Sequence, residues 1–163
     1  MLILPPQHRR AIEAHGEEGY PEEICGFLVG RAAGDAKTVE TLVRIENAWA
    51  EAGANAEFAG TGGTDFATAT RRRRFWIPPD EYFHADKAAR ARGQTILGFY
   101  HSHPDHPARP SQYDLALARE IFPGYSYVIV AVHNGKAADL TSWVLRDDGS
   151  QFDAEEVHTA SGG

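Results

Sequence analysis

The sequence predicts an α/β (α+β) protein with a mixed, curved sheet flanked by helices. Segments with helical periodicity and short apolar runs alternate along the chain, and several of the runs are joined by hairpin turns such as Asn134-Gly135. The chain has 163 residues, 42% of them hydrophobic and 24% charged, which suits a soluble globular protein. We found no internal boundary, so residues 1–163 are taken as a single domain.

The first half of the chain is predicted to begin with a helix and a hairpin. Two prolines precede a helix at Gln7–Glu17, since proline suits the first helical turn. The apolar run Glu23–Arg31 predicts a buried strand, and Thr38–Ile45 predicts a second strand paired with it around Gly34-Asp35.

Residues 47–70 have a different composition, rich in Ala, Gly and Thr, which predicts a long flexible insert or flap. A short strand at Arg73–Ile77 is expected to follow. Pro78-Pro79 then opens a helix from Asp80 to Arg92, which ends at Gly93.

The second half of the chain is predicted to alternate between strands and one helix. We predict a strand at Gln94–His103, a loop at Pro104–Pro110 and a helix at Ser111–Phe122. A buried strand at Tyr125–Val132, a returning strand at Ala138–Arg146 and a short final strand after Asp147 are expected to follow.

Charge and composition exclude several classes of function. The net charge of −7 disfavours a general nucleic-acid binder. The run Arg71–Arg74 is a local basic patch, which is expected to be a solvated strand face or a docking surface for an acidic partner. No apolar run is long enough to span a membrane. Cys25 is the single cysteine, so no intramolecular disulfide forms and the cytoplasm is the expected location.

The chemistry is concentrated in His101-x-His103, followed after seven residues by Ser111-x-x-Asp114. Alternate residues of a strand point to the same face, so both imidazoles can reach one ion, and Asp114 in the first turn of the next helix can add a carboxylate. Two histidines and a carboxylate with a fourth position open are typical of a catalytic zinc site, although these ligands also suit iron, manganese or cobalt. Singly, the pieces have simpler interpretations, such as a capping box for Ser111-x-x-Asp114.

The segment HSHPDHPARPSQYD resembles the H-x-H-x7-S-x-x-D signature of JAMM (MPN+, JAB-domain) metallopeptidases, and the compact prokaryotic members in particular. Upstream, Glu23–Gly30 resembles that family's E-x-C-G-x-L-x-G segment. The resemblance implies a deaminase-like α/β sandwich with one Zn²⁺ per chain held by His101, His103 and Asp114. It also implies that Glu23 is the general base and that the Ser111 hydroxyl supports the tetrahedral intermediate.

Members of that family cleave peptide or isopeptide bonds, often after the Gly-Gly end of a ubiquitin-like protein. The resemblance therefore implies a ubiquitin-like or sulfur-carrier protein as substrate, with trimming of a sulfur carrier as the leading expectation. Removal of a ubiquitin-like modifier from lysine and a non-catalytic MPN− scaffold are the alternatives. A zinc deaminase would need H-x-E and P-C-x-x-C pieces, which the sequence lacks.

Three neighbours of the motif are assigned secondary roles. Ser102 lies between the two histidines and is expected to face away from the metal. His106 is expected to be an ordinary loop residue. Cys25, on an apolar strand, is expected to be an inert packing residue rather than a nucleophile.

Overall fold

The fold was analysed in a computed structural model that describes residues 1–47, 77–120 and 124–159. Its helices and strands alternate in the predicted manner. The helices are α1 (Pro6–Gly19), α2 (Pro79–Ala91) and α3 (Gln112–Glu120). The strands are β1 (Leu2–Ile3), β2 (Cys25–Ala33), β3 (Ala36–Ile45), β4 (Thr95–Pro104), β5 (Ser126–His133), β6 (Lys136–Leu145), β7 (Phe152–Glu155) and β8 (Val157–His158).

Within these ranges the strands form one 8-stranded mixed sheet in the order β7-β6-β5-β4-β2-β3-β1-β8. The central pair β4 and β5 is parallel, as are β1 with β3 and β1 with β8, while the other neighbours are antiparallel. The strands at the two ends of this order, β7 and β8, follow each other in the chain with Glu156 between them. The sheet therefore curves round until its two edges approach each other.

The helices cover opposite faces of the sheet. Ile12 of α1 packs with one cluster of buried residues that includes Leu28, Tyr100 and Val130. Ala89 of α2 and Ala118 of α3 pack with the cluster on the other face of the sheet, which includes Phe27 of β2 and Phe99 of β4. Strand β2 is apolar on both faces because it lies between two helical layers, as expected of a central strand.

Two glycines permit close packing beneath the site. A Cβ atom at Gly26 would overlap the ring of Tyr100, the residue before His101. A Cβ atom at Gly98 would overlap the carbonyl oxygen of Ser126. Both strands therefore need glycine here for β4 to fit between β2 and β5.

The predicted fold class, a mixed curved sheet flanked by helices, is confirmed. The sequence did not predict β1 or β8, because each has only 2 residues and is defined by distant partners rather than by a pattern of its own. The insert at residues 47–70, apart from Asn47, and the strand Arg73–Ile77, apart from Ile77, lie outside the described residues, as does the run Arg71–Arg74. No helix within the described ranges has the length and hydropathy needed to cross a membrane.

Candidate metal centre

Two buried histidines end strand β4. His101 and His103 are 1% and 7% exposed, and both project from the face that α2 and α3 cover, since His101 pairs in register with Cys25 of that cluster. Ser102 between them projects to the α1 face, where its hydroxyl accepts a hydrogen bond from the amide of Ile24 (2.9 Å). The prediction that Ser102 faces away from the histidine site is confirmed.

Helix α3 delivers Asp114 to the same point. The Ser111 amide donates to Asp114 Oδ2 (2.8 Å), and the Asp114 amide lies 3.1 Å from Ser111 Oγ, to which it donates. This reciprocal pair is a capping box, and it fixes the direction of the carboxylate. The simple and the functional interpretations of Ser111-x-x-Asp114 are therefore compatible, because the cap itself orients Asp114 towards the histidines.

The three side chains converge through their ligand atoms. His101 Nε2 lies 3.1 Å from His103 Nε2, and the two oxygens of Asp114 lie 3.2 Å from the Nε2 atoms of His101 and His103 respectively. Zinc bonds of about 2.0–2.1 Å in a tetrahedron place neighbouring ligands about 3.3 Å apart. The spacing and the nitrogen and oxygen donors therefore fit a divalent metal ion such as zinc.

The hydrogen bond of His103 to the loop after β4 fixes the tautomer of its ring. Its Nδ1 lies 2.8 Å from the carbonyl oxygen of Pro107. A carbonyl can only accept, so the ring donates from Nδ1, and in the neutral ring Nε2 keeps a lone pair directed at the cluster. This backbone partner was not predicted, since a carbonyl group leaves no trace in residue type.

The electrostatics of the cluster follow from burial and mutual proximity. Burial would raise the pKa of Asp114, but the adjacent His101 and His103 rings hold that pKa well below its usual range. Burial lowers the pKa of His101 against the opposing pull of Asp114. Burial also acts to lower the pKa of His103, but its hydrogen bonds to Asp114 and Pro107 and the charge of Asp114 together raise it. Asp114 is thus an anion, the form that a cation binds.

Glu23 lies beside the histidines, just before the start of β2. It is 4% exposed, its Oε1 is 4.0 Å from His103 Nε2, and Glu23, His101 and His103 each offer a ligand atom within 4.8 Å of the others. The Asn47 side chain donates to the Glu23 carbonyl (3.0 Å) and fixes the backbone there. Neighbouring Glu22 is exposed, so the fold distinguishes two carboxylates that composition does not.

The structure brings together all five residues named from the sequence, with Ser111 half-buried at the start of α3. Cys25 is fully buried, and burial raises the pKa of its thiol to about 12, which confirms the expectation of an inert packing residue. His106 is exposed in the loop. Sequence reasoning missed Pro107, whose backbone carbonyl contacts His103, and Asn47, whose side chain contacts the backbone carbonyl of Glu23.

At one end of the mixed sheet, the buried histidines of β4 thus lie beside two carboxylates, Glu23 from just before β2 and Asp114 from α3. Residues 5–146 match the family of prokaryotic homologs of the JAB domain, and the chain belongs to that family. A desampylase of Haloferax volcanii is 31% identical over 132 residues, which cover 78% of each chain.

Solved structures share this fold. A protein of Desulfitobacterium hafniense, DSY2949, is 29% identical with a TM-score of 0.75 over 99% of this chain and 94% of its own. A protein of Salinibacter ruber is 38% identical with a TM-score of 0.67 over 98% and 92%. A JAB1/MPN domain protein of Archaeoglobus fulgidus, 16% identical with a TM-score of 0.51 over 98% of both chains, shares the fold.

Proposed function

We propose that this protein is a zinc metallopeptidase that hydrolyses the bond after the Gly-Gly end of a ubiquitin-like protein. The observation that carries the proposal is the convergence of Glu23, His101, His103 and Asp114 in one buried cluster. The desampylase relative and the family support a hydrolase. One Zn²⁺ per chain is assigned to His101, His103 and Asp114.

Each side chain has a task that its position suits. A zinc ion held there would polarise the scissile carbonyl group and lower the pKa of a bound water. Glu23, the other carboxylate of this cluster, takes the proton of the attacking water and returns it to the departing amine. The His103 bond to Pro107 keeps that imidazole in its ligand tautomer.

Ser111 is proposed to stabilise the charge that develops on the carbonyl oxygen. Its Oγ accepts the Asp114 amide (3.1 Å), which leaves the hydroxyl proton available for donation. A donor held by a helix cap needs little reorganisation during the reaction, and this is what makes such groups effective.

The substrate class rests on the desampylase relative, whose name denotes the removal of a protein modifier. This favours release of a ubiquitin-like modifier from lysine over trimming of a sulfur-carrier protein, which stays the second candidate. A non-catalytic scaffold is the third, and the retained cluster argues against it. We assign no nucleic-acid or membrane partner, and the single thiol, buried at Cys25, fits a cytoplasmic location.

The experiment is the Glu23→Gln variant, with a ubiquitin-like protein joined through its Gly-Gly end to a lysine side chain or to a short peptide as the two probes. The amide keeps the shape of the side chain but cannot take up a proton. We expect zinc to stay bound and hydrolysis to fall by about 100-fold or more. Glu22→Gln, the exposed neighbour, is the matched control and should hydrolyse at the wild-type rate. Rapid hydrolysis by Glu23→Gln would show that another group is the base.

A further inference from the structure

The loop between β4 and α3 is exposed at Pro107, yet the carbonyl group of Pro107 holds the ring of a buried histidine. The carbonyl group of an exposed residue can position a ligand only if the loop that carries it is itself fixed. Residues on either side of Pro107 have hydrogen bonds that could fix it.

The first attachment is at Asp105. Its backbone lies in the left-handed region (φ 57°), and its amide donates to the carbonyl of Val132 (2.8 Å). Its carboxylate accepts the Asn134 amide on one oxygen (2.8 Å) and the hydroxyl of Tyr20 on the other (2.6 Å). One side chain thus ties the loop to the end of α1 and to the β5–β6 turn, through short bonds to a charged acceptor.

The second attachment is at Ala108. The Thr141 hydroxyl of β6 donates to the carbonyl of Ala108 (2.7 Å) and accepts the indole N–H of Trp143 (2.9 Å). Ala108 is 5% exposed and packs on Ile129 of β5. The loop is therefore held to the sheet at one residue after Pro107 and at one shortly before it.

We propose that Asp105 and Thr141 are positioning residues of the metal centre, which act through the Pro107 carbonyl to hold His103 in its Nδ1-protonated tautomer and in its orientation. The inference rests on the metal centre assigned under the proposed function, and it adds two residues that touch neither metal nor substrate. It explains why the carboxylate of Asp105 binds the Tyr20 hydroxyl and the Asn134 amide instead of joining the metal cluster.

The test uses the full chain with three variants: Asp105→Ala, Thr141→Val and Tyr20→Phe. Zinc affinity is measured by competition with a chelator, and loss of a group that orients a ligand costs about 10–100-fold. We expect about tenfold weaker binding for Asp105→Ala and Thr141→Val, and a smaller loss for Tyr20→Phe. Since Tyr20 acts through Asp105, adding Tyr20→Phe to Asp105→Ala should cause no further loss.

The matched controls remove similar groups elsewhere. Asp153→Asn removes an exposed carboxylate bound to Arg146, and Tyr82→Phe removes the hydroxyl paired with Tyr125. Both should bind zinc as the wild type does.

A second readout needs no metal. In the metal-free protein at about pH 8, above the ordinary histidine pKa, nitrogen NMR reports which ring nitrogen of His103 carries the proton. The wild type should show Nδ1–H, and Asp105→Ala a mixture of the two tautomers. A folded Asp105→Ala with unchanged zinc affinity and an unchanged tautomer would overturn the inference, and if that variant does not fold, an unchanged Tyr20→Phe would do so. If the wild type binds no zinc, the metal assignment fails while the tautomer measurement still decides this inference.

Discussion

Replacing Asp114 with asparagine tests the proposed ligand set, because Asp114 is its single carboxylate. Among the described residues, Asp114 is the one carboxylate with oxygens 3.2 Å from the Nε2 atoms of both His101 and His103. It is 5% exposed, and the adjacent imidazoles hold its pKa well below its usual range. Asparagine keeps the size of the side chain and an oxygen for the Ser111 amide, so the cap is retained while the charge is lost.

The magnitude follows from the energetics of zinc binding. A structural zinc ion contributes about 10–16 kcal/mol over four ligand positions, which is about 3 kcal/mol for each position. At about 1.4 kcal/mol per tenfold change, loss of the anionic ligand should weaken zinc binding by about 100-fold. The metal-free protein should keep the helix cap but lose the charge interactions of Asp114 with His101 and His103, so its free energy of unfolding should fall.

The assay is chelator competition for zinc affinity, together with urea unfolding of the metal-free protein. Asp148→Asn, an exposed carboxylate in the turn after β6, is the control and should leave both quantities unchanged. Wild-type zinc affinity in Asp114→Asn would refute the assignment of Asp114 as a ligand.

Two further predictions concern the packing around the site. Gly26→Ala should destabilise the protein by about 1–3 kcal/mol because the new methyl group meets the Tyr100 ring, and an unchanged urea midpoint would contradict this. Burial, aided by Arg44, lowers the pKa of His15 from 6.5 to about 4. The unfolded chain therefore binds the proton more tightly than the folded protein does. The contribution of the neutral His15 ring to the free energy of unfolding is complete above about pH 6.5 and is lost as the pH falls towards 4. Because the ring is half-exposed, the contribution is about 1 kcal/mol. His15→Gln should flatten this part of the stability profile, and parallel profiles for both proteins would argue against it.

The sequence predicted the parts of the site that depend on local periodicity. His101 and His103 share a face because strand residues alternate, and Ser111-x-x-Asp114 starts a helix because its side chains cap the free amides. Glu23 was a harder case, since composition alone did not separate it from Glu22. The resemblance to JAMM proteins selected Glu23, and the structure agrees because Glu23 is buried whereas Glu22 is exposed.

The contacts that the sequence did not predict join residues far apart in the chain. The Tyr20 bond to Asp105 and the Thr141 bond to Ala108 depend on how the sheet curves, which no local pattern specifies. The same holds for β1 and β8, whose pairing arises only when the two edges of the sheet approach. Residue type predicted the cluster of imidazoles and carboxylates, while the tertiary fold determines what holds it in place.

The most direct measurement of the central claim is the metal content of the protein purified without an affinity tag, determined by elemental mass spectrometry. The account predicts about one zinc per chain, in the wild type and in Glu23→Gln alike, because Glu23 is assigned as the base and not as a ligand. Absence of zinc after incubation with the metal and buffer exchange would mean that His101, His103 and Asp114 do not form a metal site, and would favour the scaffold.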